Sequence, residues 1–174
     1  MRASYLIRLG ALSAVIAGAA WIVLFFLPLA TGEVEPDPFS FAAAIERTVV
    51  VIAALFTVGG LVGFHALQKD NYGLVGRVSL WMVVFGGVTF FPPLDPLNLV
   101  GVVIAIGGFL LYGNATLQAR VLPLWCALGF LVGPLLFLFL GRFAQIPFGL
   151  LWLALGYILW SRRGTSVGQP SRVR

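Results

Sequence analysis

The chain has one histidine, one lysine and one cysteine among its 174 residues. The first two fall together in the stretch GLVGFHALQKDNYGLVGR (60–77). An imidazole titrates near neutral pH, so inside a membrane His65 could relay protons or switch a conformation. A relay needs partners, and no Asp or Glu lies near it within its apolar segment. Gln68, Lys69, Asp70, Asn71 and Gly73 follow at once, a composition that makes turns. The spacing therefore predicts an interfacial His65 beside a turn at 69–73, with a proton relay as the lesser reading.

A second polar set is dispersed in sequence. Glu46 and Arg47 open one apolar segment, Asp95 and Asn98 open another, and Arg142 and Gln145 lie between two more. If the segments pack as hairpins, these groups converge at one rim. There Glu46 suits a helix N-terminus and could pair with Arg142. Such a rim could simply hold loops together, or it could bind an anionic head group. Pro134, in VGPLLF, removes a backbone hydrogen bond inside a helix and kinks it. Breaks of this kind line sites in transporters, so Glu46, Arg47, Pro134 and Arg142 form the candidate ligand-binding set.

Other chemistry is excluded by what is missing. There is no Walker loop, HExxH, GxSxG, Cys-x-x-Cys or kinase signature. One cysteine permits no internal disulfide, and Cys126, in PLWCALGF, reads as a buried inert thiol. One histidine and one cysteine give no metal set, so neither metal nor cofactor is expected. No apolar segment carries a pair of groups fit for catalysis, so no catalytic residue is assigned and an enzyme is the minority reading.

These residues must be positioned by apolar elements. The sequence is 60% hydrophobic and 10% charged, with mean hydropathy +1.03. Soluble domains run near half apolar and a quarter charged, so the solvent for most of this chain is lipid. Six apolar segments stand out, at 9–30, 43–66, 74–91, 97–113, 121–140 and 144–160. Each must be helical to satisfy its backbone in lipid, which predicts an all-α bundle of six crossings. Residues 1–160 form one membrane domain, and 161–174 a basic disordered tail. The first segment exceeds the roughly 7–15 apolar residues of a signal peptide and is kept as a helix.

The net charge of +5 comes from basic residues at segment ends, a topology signal and not a nucleic-acid stripe. With the N-terminus inside, nine basic residues (Arg2, Arg8, Lys69, Arg77, Arg120, Arg162, Arg163, Arg172, Arg174) face the cytoplasm, against Arg47 and Arg142 outside. The positive-inside rule then places both termini in the cytoplasm.

Small residues recur four apart at Gly10, Ala14 and Gly18, at Gly59 and Gly63, at Gly101 and Ala105, and at Gly129 and Gly133. This spacing lets helix backbones approach closely in lipid, within one bundle or across a homo-oligomer. A longer period is also visible. Gly60, Gly108 and Gly156 are 48 residues apart, each followed four residues later by an aromatic, Phe64, Tyr112 and Trp160. That pattern would suit three related helical hairpins.

The runs GLVGFHALQKDNYGLVGRVSLW and LPLWCALGFLVG resemble the small multi-helix integral membrane proteins of bacteria. The resemblance implies a multi-pass inner-membrane fold, and it carries no catalytic residue, ligand or function. Two functional expectations follow. The first is a non-enzymatic accessory or structural subunit, packed against lipid and a partner membrane protein. The alternative is a small carrier or binder of an apolar or lipidic molecule, using a cavity beside Pro134 and the polar rim.

Overall fold

The computed structural model describes residues 2–32, 37, 39–89 and 95–162. Glu33, Glu35, the PPL of the PPLDP turn and the tail from 163 lie outside the described residues, as do the side chains of Asp95 and Asn98.

Among the described residues the fold is wholly helical. Its elements are α1 (Arg2–Thr31), α2 (Phe41–Gln68), α3 (Gly73–Thr89), α4 (Asp95–Ala119), α5 (Leu124–Leu140) and α6 (Gln145–Arg162). Local chemistry sets the ends. Ser40 caps α2, its hydroxyl accepting from the Ala43 amide at 3.1 Å, as a helix N-terminus requires. Arg120 stops α4 in the left-handed region, at φ +51°.

The boundaries differ from expectation at the start of α1, which begins at Arg2 and not at 9, and at the end of α4. The sequence reading ended this segment at 113 and made NATLQAR (114–120) a loop. Instead the helix continues to Ala119. Asn114 and Gln118 are four residues apart and bonded to each other at 3.3 Å on the exposed face, so polar side chains extend the helix without interrupting it.

By length and composition four segments can cross a membrane: Ser4–Thr31, Phe41–Gln68, Leu99–Ala119 and Leu124–Arg162. The count of six crossings is not reproduced on this criterion, for two reasons. The apolar part of α3, Gly73–Gly87, is a shorter helix. And α5 runs into α6 through one 3-10 turn, Gly141–Ala144, so the described residues form five uninterrupted helical stretches.

Packing is closest between α1 and α2, α1 and α6, and α3 and α4, with α5 laid on α4. Backbone approach at glycine explains each contact. A Cβ on Gly63 would fall 2.6 Å from the Gly10 Cα, one on Gly18 2.6 Å from the Gly149 carbonyl, and one on Gly86 2.6 Å from the Gly101 carbonyl. These pairs make α1 antiparallel to both α2 and α6, and α3 antiparallel to α4. The third pair of the 48-residue period is built differently. Gly156 faces Ala11 and Val15 of α1, so α6 packs more closely on α1 than on α5.

Candidate functional site

Two features stand out inside the bundle, and the first is apolar. α1 and α2 meet α3, α4 and α5 across a cavity of about 520 Å³, within the roughly 300–1,000 Å³ of ligand pockets. One wall is an aromatic floor. The Trp21 ring lies 5.4 Å edge-on from both Phe137 and Phe148, and Phe148 is 6.3 Å from Phe109. Trp21 Nε1 donates to Thr57 Oγ1 at 3.1 Å, which removes two polar groups from the lining. Pro134 also lines the cavity, inside α5, which is helical throughout.

Polar chemistry gathers at one edge. Arg142, half-buried in the 3-10 turn, is the one charged side chain on the lining among the described residues, and Gln145 stands beside it. Gln145 Oε1 is buried and meets no hydrogen-bond partner. The apolar body and cationic edge together fit a molecule with a hydrocarbon part and an acceptor head. Arg142 and Pro134 are thus brought together, while Glu46 and Arg47, on the first turns of α2, do not line the cavity. Among the described residues no ion pair joins Glu46 to Arg142.

The second feature lies where α2 ends and α3 begins. Tyr72 is buried, and its phenol shares a hydrogen bond with His65 Nδ1. Its ring is 6.1 Å from Tyr112 of α4, whose hydroxyl donates to the Leu61 carbonyl at 3.4 Å. Burial pushes the Tyr72 phenol up to about 12, against smaller opposing effects of Tyr112 and Arg77. Gln68 and Thr116 are also buried here. His65 is half-buried in this cluster, beside the turn at 69–72.

The remaining sequence-derived positions are packing positions. Gly10, Ala14, Gly18, Gly59 and Gly63 lie in the α1–α2–α6 contacts, Gly59 against the Ser13 side chain. Gly129 faces Leu151, and Gly133 faces Leu151 and Phe148. Cys126 is buried. Among the described residues no three His, Cys, Asp or Glu side chains cluster as metal ligands.

Sequence reasoning gave no site role to Trp21, Thr57, Phe109, Phe137 and Phe148 of the cavity, or to Gln68, Tyr72, Tyr112 and Thr116 of the polar cluster. A signal existed for Thr57 and Gln68, polar residues within the long apolar run of α2. No signal marked the aromatics, which lipid contact explains equally well. No protein-family model, curated protein or solved structure matches the chain.

Proposed function

We propose that the chain is a six-crossing inner-membrane protein of bacterial type, both termini cytoplasmic, that binds an amphiphile with an anionic head. The hydrocarbon part occupies the apolar cavity and the head meets Arg142. The observation that carries this reading is the apolar cavity whose one charged lining group, among the described residues, is a cation. An arginine there can form a charge-assisted hydrogen bond with a carboxylate or phosphate. The accessory-subunit reading needs no cavity and gains no comparable feature.

Six crossings are supported by the reversal between α5 and α6. Gly141, at φ +52°, begins the 3-10 turn, and Arg162 bonds the Val121 carbonyl at the far end. The two arms have 17 and 18 residues, about 25–27 Å each at the helical rise. That is close enough to the roughly 30 Å core for local thinning to accommodate. Both termini inside follows from the distribution of basic residues.

The test is native purification in mild detergent, followed by identification of retained lipids. Acidic amphiphiles are expected to be enriched over neutral ones. Arg142→Ala is expected to weaken their binding about 10- to 100-fold, as loss of a bond to a charged group implies. Equal retention of acidic and neutral lipids by both proteins would refute the assignment.

A further inference from the structure

Gln68 and Thr116 present a problem that protein contacts do not solve. Gln68 is 0% exposed and Thr116 1%. Gln68 Nε2, Gln68 Oε1 and Thr116 Oγ1 all lack a hydrogen-bond partner among the described residues. A carboxamide offers two donors and an acceptor, and a hydroxyl offers both. Folded proteins rarely leave such groups unmet when buried, because the whole desolvation cost then stands against folding. In lipid the surrounding medium supplies no substitute.

Neighbouring polar groups are already engaged. Tyr112 donates to the Leu61 carbonyl, and the Tyr72 phenol is bonded to His65. Within a helix, a threonine hydroxyl commonly turns back to a carbonyl three or four residues earlier, and Thr116 does not. The two residues occupy the same end of the bundle. Gln68 is the last residue of α2, four residues before Tyr72, whose ring lies against Tyr112. Thr116 is one turn along α4 from Tyr112, towards the C-terminal end of that helix.

The missing partner is therefore defined by elimination. It must be small, since both side chains are closed to any macromolecule. It must both donate and accept, since Gln68 Oε1 needs a proton and Gln68 Nε2 needs a lone pair. It must be uncharged, because the charged residues nearest in sequence, Lys69, Asp70 and Arg77 for Gln68 and Arg120 for Thr116, are all exposed and none stands ready to neutralise a buried ion. Water meets all three conditions, and a buried water typically makes about three hydrogen bonds to groups of this kind.

We propose that Gln68 and Thr116 frame a site for ordered water within the helical bundle, beside the His65–Tyr72–Tyr112 cluster. This site is separate from the apolar cavity, and neither residue lines that cavity. It stands whether or not an amphiphile binds there. In this role the polar cluster is a hydrated hydrogen-bonding unit within an otherwise apolar core.

The experiment is hydroxyl-radical footprinting by X-ray radiolysis, on the full-length protein in lipid nanodiscs, in ¹⁸O-labelled water. Bound water generates radicals in place, so buried Tyr112 is expected to be modified at a rate within several-fold of exposed Tyr157. The incorporated oxygen is expected to be ¹⁸O. In the double variant Gln68→Leu, Thr116→Val the Tyr112 rate is expected to fall at least fivefold. Thr116→Ser keeps the hydroxyl and is expected to leave the rate unchanged. Unmodified Tyr112 in the wild-type protein would overturn the proposal. A second readout serves if the double variant does not fold. Gln68→Leu lowers the thermal midpoint if the amide is hydrated, whereas a higher midpoint means the amide was bare and the site is dry.

Discussion

Tyr72 is 5% exposed although it stands in a turn at the end of the apolar bundle. Burial favours the neutral phenol, and the group is held at about 12 instead of its ordinary 10. The sign follows directly. A raised phenol contributes stability that is complete below about pH 10 and is lost as pH rises through about 12. Difference spectra at 295 nm between the protein and its Tyr72→Phe variant are expected to show no tyrosinate at pH 10 and a midpoint near 12. A midpoint at 10 would mean that the Tyr72–Tyr112–His65 contact is loose. At this scale the sequence was informative only where a residue was rare. Arg142 and Pro134 could be singled out because few side chains of their kind occur in apolar surroundings, and both line the cavity. Trp21, Phe137 and Phe148 could not, because 14% of the chain is aromatic and an aromatic facing lipid reads the same as one facing a ligand. Thr116 was hidden for another reason: α4 runs past the point where polarity suggested it would end.

Helices here are held by backbone proximity, so glycine positions differ sharply in what they tolerate. Gly63 and Gly10 are mutually in contact, and a Cβ on Gly63 would stand 2.6 Å from the Gly10 Cα. Backbone atoms cannot rotate away, so Gly63→Ala must separate α1 from α2. Overpacking of this kind costs about 1–3 kcal/mol. Gly87, near the end of α3, has nothing among the described residues within 4 Å of its would-be Cβ, and Gly87→Ala is expected to stabilise the helix by about 0.5–1 kcal/mol. Thermal unfolding in one detergent checks both, and opposite signs are the expected outcome. Equal effects would show that helix propensity, and not interhelical contact, governs these sites. The small-residue stripes were legible in the sequence because lipid makes close approach the main source of helix association. Their partners were not. Gly18 meets Gly149 and Gly86 meets Gly101, and residue spacing within one helix carries no information about which other helix comes near.

The whole molecule divides along its packing. α1, α2 and α6 are joined through glycine, as are α3 and α4, with α5 added through Gly113 against Leu131. Between the two groups large rings meet, Phe64 with Phe130 and Phe130 with Trp152, and the cavity opens between the same groups past Trp21, Phe109, Phe137 and Phe148. The chain passes from one group to the other at only two places, the 69–72 turn and the Gly141–Ala144 turn, at opposite ends of the bundle. Sidedness therefore decides which compartment the Arg142 edge of the cavity adjoins. On the proposed orientation Lys69, Arg77, Arg120 and Arg162 share the cytoplasmic face, and the Arg142 turn lies outside. Cys126 is buried and leaves the native protein a quiet background for thiol labelling. Single cysteines replacing Phe39, 98% exposed, or Phe143, 64% exposed, are expected to react with an impermeant maleimide added to intact cells. Cysteines replacing the exposed Asn71 or Gln118 are expected to react only after lysis. The reverse pattern would turn the molecule over and put the Arg142 turn in the cytoplasm, so that any acidic amphiphile would enter the cavity from the inner leaflet. Labelling of all four sites from outside would remove the membrane from the account altogether, and with it the reason for glycine-mediated packing.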